Sequence, residues 1–116
     1  MCICQSEIPT GEDTAQRLLD YLNGAAASLM ISGGHRTRLF DTMADLPPTT
    51  SGEIAEAAGL NERYVREWLS SMVTARLVQY FPENRTFHLA PSAAALLTRR
   101  SSPNNMAATA QFIPIL

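Results

Sequence analysis

The sequence is short of the groups that usually announce chemistry. Lysine is absent: all nine basic residues are arginine, against eleven acidic ones, and the net charge is −2 with a pI near 5.6. That balance argues against bulk affinity for phosphate backbones. Only two cysteines occur, Cys2 and Cys4, too few and too close for a disulfide framework or a tetrahedral metal site. They read as reduced thiols on a frayed terminus. No apolar run reaches the roughly 18 residues of a membrane span, and the N-terminus lacks the basic-then-apolar order of a signal peptide. A protein without a membrane segment, located in the cytoplasm, is expected. The sequence also lacks G-x-G-x-x-G, Walker A, H-E-x-x-H and G-x-S-x-G motifs, which leaves no catalytic, cofactor-binding or metal-ligating set to name.

What is present fits one domain. The chain has 116 residues, of which 46% are hydrophobic and 17% charged. This suffices for a modest core that would gain from a partner chain. Charge is unevenly spread. Residues 1–35 set Arg17 against Glu7, Glu12, Asp13 and Asp20, residues 36–100 are nearly balanced, and the last sixteen residues are uncharged.

Residues 1–12, with Pro9 and Gly11, read as a disordered lead-in. A helix is predicted from Asp13 or Thr14 to about Ser32, stopped by Gly33-Gly34. Leu18, Leu22, Ala25 and Leu29 recur along it at three- and four-residue spacing, widened by Leu19, Ala26 and Met30. Small residues from Gly24 to Ser28 permit close approach of another helix. Burial within the same chain is one reading of that stripe. Contact with a second subunit is the better one, because the rest of the chain looks too small to cover both sides.

A second helix is expected over His35 to Ala44, ended by Pro47-Pro48, with Leu39, Phe40 and Met43 inward. Thr50 and Glu53 have capping-box spacing for a helix over Gly52 to Ala58, closed by Gly59. Asn61 then caps a helix from Glu62 to about Ala75. Its apolar positions are Tyr64, Val65, Trp68, Leu69, Met72 and Val73. Two short helices about a central glycine make a helix-turn-helix. Leu77 to Phe81 and Thr86 to Leu89 read as strands joined by a four-residue turn. The fold class is therefore mainly α: a winged helix-turn-helix over residues 13–100, with a long N-terminal helix and a small C-terminal β-hairpin. A further short helix is placed over Ser92 to Thr98. Residues 101–116 read as a linker in which Met106 to Gln111 begins a helix. The apolar ending, Phe112-Ile-Pro-Ile-Leu116, suggests that more chain normally follows.

Few side chains remain for chemistry. His35 reads as a solvated first-turn residue, His88 as an exposed strand position, and Asp41 with Asp45 as a solvated helix face. Duplex DNA would need basic side chains outside the third helix and a basic wing. Arg63 and Arg66 have a plausible spacing, but Glu62 and Glu67 stand among them and the wing offers Glu83 beside Arg85. Nucleic acid is the lesser reading.

The segments Ile31-Ser-Gly-Gly-His-Arg-Thr-Arg-Leu-Phe-Asp41, Ile54-Ala-Glu-Ala-Ala-Gly-Leu-Asn-Glu-Arg-Tyr-Val-Arg-Glu-Trp-Leu69 and Met72-Val-Thr resemble a known module. It is the N-terminal winged-helix domain of bacterial class I S-adenosylmethionine-dependent methyltransferases. The resemblance implies a homodimer formed through the helices of this module. It further implies that the module roofs a small-molecule substrate cavity, and that a following Rossmann-like domain holds S-adenosylmethionine. The glycine-rich cofactor loop and ribose-binding acid of that domain have no counterpart in these 116 residues. The chain is thus expected to pair and enclose rather than to transfer methyl groups. A small winged-helix transcriptional regulator is the alternative.

Overall fold

A computed structural model describes Ile8, residues 10–101 and residues 103–111; Cys2, Cys4 and the apolar C-terminal ending lie outside the described residues. The order is α1 (Gly11–Arg36), α2 (Leu39–Ala44), β1 (Thr49–Thr50), α3 (Ser51–Ala58), α4 (Glu62–Thr74), β2 (Gln79–Phe81), β3 (Thr86–His88) and α5 (Pro91–Leu97), followed by a 3-10 turn over Arg99–Ser101.

Helix α1 starts earlier and ends later than its sequence suggests. Thr10 caps it, its hydroxyl accepting from Asp13 N at 3.1 Å, so Gly11 and Glu12 are helical rather than part of a lead-in. At the other end the helix runs straight through Gly33 and Gly34, which therefore do not stop it. A Cβ on Gly34 would lie 2.5 Å from Trp68 Cζ2 and 2.6 Å from Phe40 Cε2. The glycine is there because two rings press on the helix backbone. The indole of Trp68 completes that crossing by donating to the Met30 carbonyl at 2.8 Å. Termination falls instead to Thr37 and to Arg38, which takes a left-handed φ of 63°. This also moves the start of α2 from His35 to Leu39.

The helix-turn-helix follows the expected local chemistry. Thr50 accepts from Glu53 N and donates to its carboxylate at 2.8 Å, Gly59 closes α3 at φ 70°, and Asn61 accepts from Arg63 N and Tyr64 N. Leu39, Phe40, Met43, Ile54, Val65, Trp68, Leu69 and Met72 form one buried cluster. Phe40 meets Trp68 edge-on at 5.1 Å between ring centres. Tyr64 is the departure on α4: it is 40% exposed, lying over Gly33 rather than in the core.

The wing has three strands instead of two, in the order β1-β3-β2, both pairs antiparallel. Thr49 and Thr50, the residues that cap α3, also pair with Phe87 and Thr86. After α5, residues Met106 to Gln111 form turns and a 3-10 segment, not the α-helix anticipated there. Gln111 is nonetheless anchored. Its amide donates to Ser32 O and Ser32 Oγ, both at 3.0 Å, and its carbonyl accepts from Arg36 Nε at 2.7 Å.

Candidate functional site

The largest uncovered feature is the outer side of α1. Every residue from Gly11 to Ala26 is exposed; Asn23 and Ala26 border a cleft with Ser71, Thr74 and Ala75 beside α4. The molecule, α1 included, measures 55 × 34 × 25 Å with a radius of gyration of 16.9 Å, against about 13 Å for a compact domain of this length. Leu18, Leu22 and Leu29 are 55, 66 and 50% exposed, and Ala25 is exposed between them. These four positions share one side of the helix. In the C-terminal half, Met30 and Gly34 turn toward Trp68 and Phe40 while Leu29 turns to solvent. The helix is thus apolar on two sides, and only one of them meets the core of its own chain.

A second feature lies between α4 and the wing. Ser51, Glu62, Arg66, Tyr80, Arg85 and Phe87 border a cleft of about 470 Å³. Ser51 Oγ donates to Glu62 Oε2 at 2.6 Å, and Arg66 Nε stands 4.0 Å from the same carboxylate oxygen. Tyr80 and Phe87, cross-strand partners in register, tilt together at 4.8 Å between ring centres and form the apolar wall. Arg63 points elsewhere along the exposed helix, 3.4 Å from Glu67. Both arginines named for nucleic acid therefore have an acid of the same helix beside them.

Three polar groups differ from their sequence reading. Asp41 is not a solvated helix-face residue: it accepts from Arg99 Nη1 at 2.6 Å and from Arg99 N at 2.7 Å. Asp45 does pair at the surface, with Arg100 Nη2 at 2.6 Å. Two adjacent arginines after α5 are thereby tied to two carboxylates one helical turn apart. The sequence carried that signal only as a charge match between distant segments. His35 is half-buried, with Nδ1 shielded and unbonded in the structure. Burial lowers its pKa below the usual histidine value, Arg99 and Arg38 lower it further, and Asp41 opposes them. His88 is half-buried as well, rather than an exposed strand residue, with its Nδ1 likewise shielded.

Among the described residues, no three His, Cys, Asp or Glu side chains gather into a set able to hold a metal ion, and no helix is long and apolar enough to cross a membrane. Among the described residues, no glycine-rich loop of the kind that would hold S-adenosylmethionine, the cofactor implied by the resemblance, joins a strand to a helix. The glycine pair lies inside a helix under two rings. The strand β1 leads directly into α3 with no glycine-rich loop between them, and the Glu53 carboxylate there accepts from the Thr50 hydroxyl.

Three helices packed around Trp68, with a small antiparallel sheet completing the unit, define a winged-helix domain. Residues 25–99 match the model of the Rv2258c-like winged HTH domain, and the chain belongs to that family. No curated protein matches the sequence. Among solved structures, N,N-8-amino-8-demethyl-D-riboflavin dimethyltransferase (RosA) from Streptomyces davawensis is similar at 28% identity and TM-score 0.70, over 90% of this chain and 29% of that one. Mitomycin 7-O-methyltransferase MmcR gives 24% identity and TM-score 0.69 over 85% of this chain and 28% of that one. Human N-acetylserotonin methyltransferase gives 22% and 0.71 over 92% and 32%. These two last show the shared fold alone. The chain spans about three-tenths of the length of the enzymes it resembles.

Proposed function

We propose that this chain is a pairing and substrate-enclosing module of the kind found at the N-terminal part of an S-adenosylmethionine-dependent methyltransferase. Methyl transfer itself would fall to cofactor-binding groups outside the described residues. The observation that carries the reading is the exposed stripe Leu18, Leu22, Ala25 and Leu29 on a helix whose residues Gly11 to Ala26 are all exposed. An isolated helix of that length is marginal in water. A second copy supplies the missing contact: burying the remaining area of each leucine contributes about 1 kcal/mol per side chain, and Ala25 with its small neighbours lets the backbones approach. The methyltransferase likeness of the whole domain agrees with this placement.

Sedimentation equilibrium tests both halves. The expected result is a homodimer for the wild-type chain, a monomer for Leu22→Glu at the same concentration, and no co-sedimentation of micromolar S-adenosylmethionine. A monomeric wild type, or a dimer unchanged by Leu22→Glu, contradicts the pairing; co-sedimenting cofactor contradicts the non-catalytic role. Duplex binding through Arg63 and Arg66 is the weaker alternative, because Glu67 and Glu62 stand beside them.

A further inference from the structure

The cleft between α4 and the wing has a composition that the pairing role does not use. Its volume of about 470 Å³ falls within the range of small-molecule sites, roughly 300–1,000 Å³. One wall is the tilted Tyr80–Phe87 pair, a face on which a flat ring can lie. Arg66 and Arg85 border it from opposite elements, the helix and the wing turn. Among the described residues no carboxylate lies within ion-pair distance of Arg85, and Arg66 reaches Glu62 only at 4.0 Å.

Arg85 also holds a left-handed φ of 54°, a conformation that strains a residue with a Cβ. A glycine would fill that turn without strain. Arginine at this position adds its side chain to the lining of the cleft. Glu62, fixed by the Ser51 hydroxyl at 2.6 Å, keeps a second oxygen with room to accept a hydrogen bond. Two cations against one anion leave the cleft net positive.

We propose that this cleft binds a planar aromatic monocarboxylate bearing a hydroxyl or amino donor. The ring lies on Tyr80 and Phe87, the carboxylate meets the guanidinium groups of Arg66 and Arg85, and the donor faces Glu62. Duplex DNA is disfavoured here because Glu62 lines the same cleft as the arginines and would face phosphate. Nothing in this proposal requires the chain to pair.

The test is an amide NMR titration of the full chain with 3-hydroxy-2-naphthoate, alongside neutral 2-naphthol. A ligand of this size gives a Kd on the order of 1 mM or tighter at ordinary ligand efficiency. The expected result is saturable shifts at Glu62, Tyr80, Arg85 and Phe87, with naphthol at least about fivefold weaker. Arg66→Gln and Arg85→Gly should each weaken the acid about fivefold or more, a charge-assisted pair being lost in each. Both substitutions suit their backbone positions, and unchanged peaks elsewhere verify that each variant is folded. Absence of saturation by about 5 mM, well above that Kd, would overturn the proposal. So would equal binding of the acid and naphthol, or insensitivity to both variants. Shifts from a mixed-sequence duplex at low salt, with none from the acid, would assign the surface to nucleic acid instead.

Discussion

At the scale of single residues, Gly34 shows how one backbone position can decide a helix crossing. Glycine costs an α-helix about 1 kcal/mol relative to alanine, which is why the Gly33-Gly34 pair reads as a stop in the sequence. The structure keeps that cost because the ring atoms of Trp68 and Phe40 occupy the space a Cβ would need. Both rings are fully buried, so neither has room to withdraw. Gly24, on the same helix, has nothing within 4 Å of its virtual Cβ. The two glycines should therefore respond with opposite sign. Gly34→Ala is expected to destabilise by about 1–2 kcal/mol, overpacking outweighing the gain in propensity. Gly24→Ala should stabilise by about 0.5–1 kcal/mol. Urea denaturation at one fixed protein concentration measures both. Periodicity cannot separate these glycines, since the difference lies in what a distant tryptophan does.

At the scale of elements, legibility followed locality. The Thr50–Glu53 box, the Gly59 closure and the Asn61 cap depend on residues within four positions of one another, and each stood in the sequence as it stands in the structure. Strand β1 did not, because two threonines after a proline pair have no alternation to read; only pairing with Phe87 and Thr86 makes them a strand. The turn between α1 and α2 was equally hidden, since it relies on a left-handed arginine at position 38. Helix α2, which follows that turn, meets the segment after α5 through Asp41 and Arg99, and His35 lies beside the same junction.

His35 titrates below its ordinary value there, chiefly by desolvation. The unfolded chain therefore takes up a proton near pH 6.5 before the folded chain does. The resulting stability is complete above that pH and is lost as pH falls through the lower folded value. The urea midpoint of the wild type should decline as pH falls below about 6.5, and His35→Gln should flatten that decline. An identical pH dependence in the variant would show that the junction does not sense the histidine.

At the scale of the whole molecule, the winged-helix class was legible because its signals are sequential: a capped helix, a short turn, an amphipathic helix and a hairpin. The outer α1 stripe was legible as a pattern, yet the pattern alone left open which side of the helix the chain's own core would take. Packing of Met30 and Gly34 against the α2 and α4 rings resolves that, leaving Leu18, Leu22, Ala25 and Leu29 on the uncovered side. The cleft between α4 and the wing had no sequence signature, because its walls come from elements brought together only by the three-stranded sheet.

Amide hydrogen exchange along α1, followed as a function of protein concentration, tests the proposed pairing most directly. Four turns of exposed helix should open readily in a lone chain. Pairing through the outer face predicts that protection over Leu18 to Leu29 rises with concentration and is abolished by Leu22→Glu, while protection around Trp68 stays constant. Rapid, concentration-independent exchange over that stretch in the wild-type chain would contradict it.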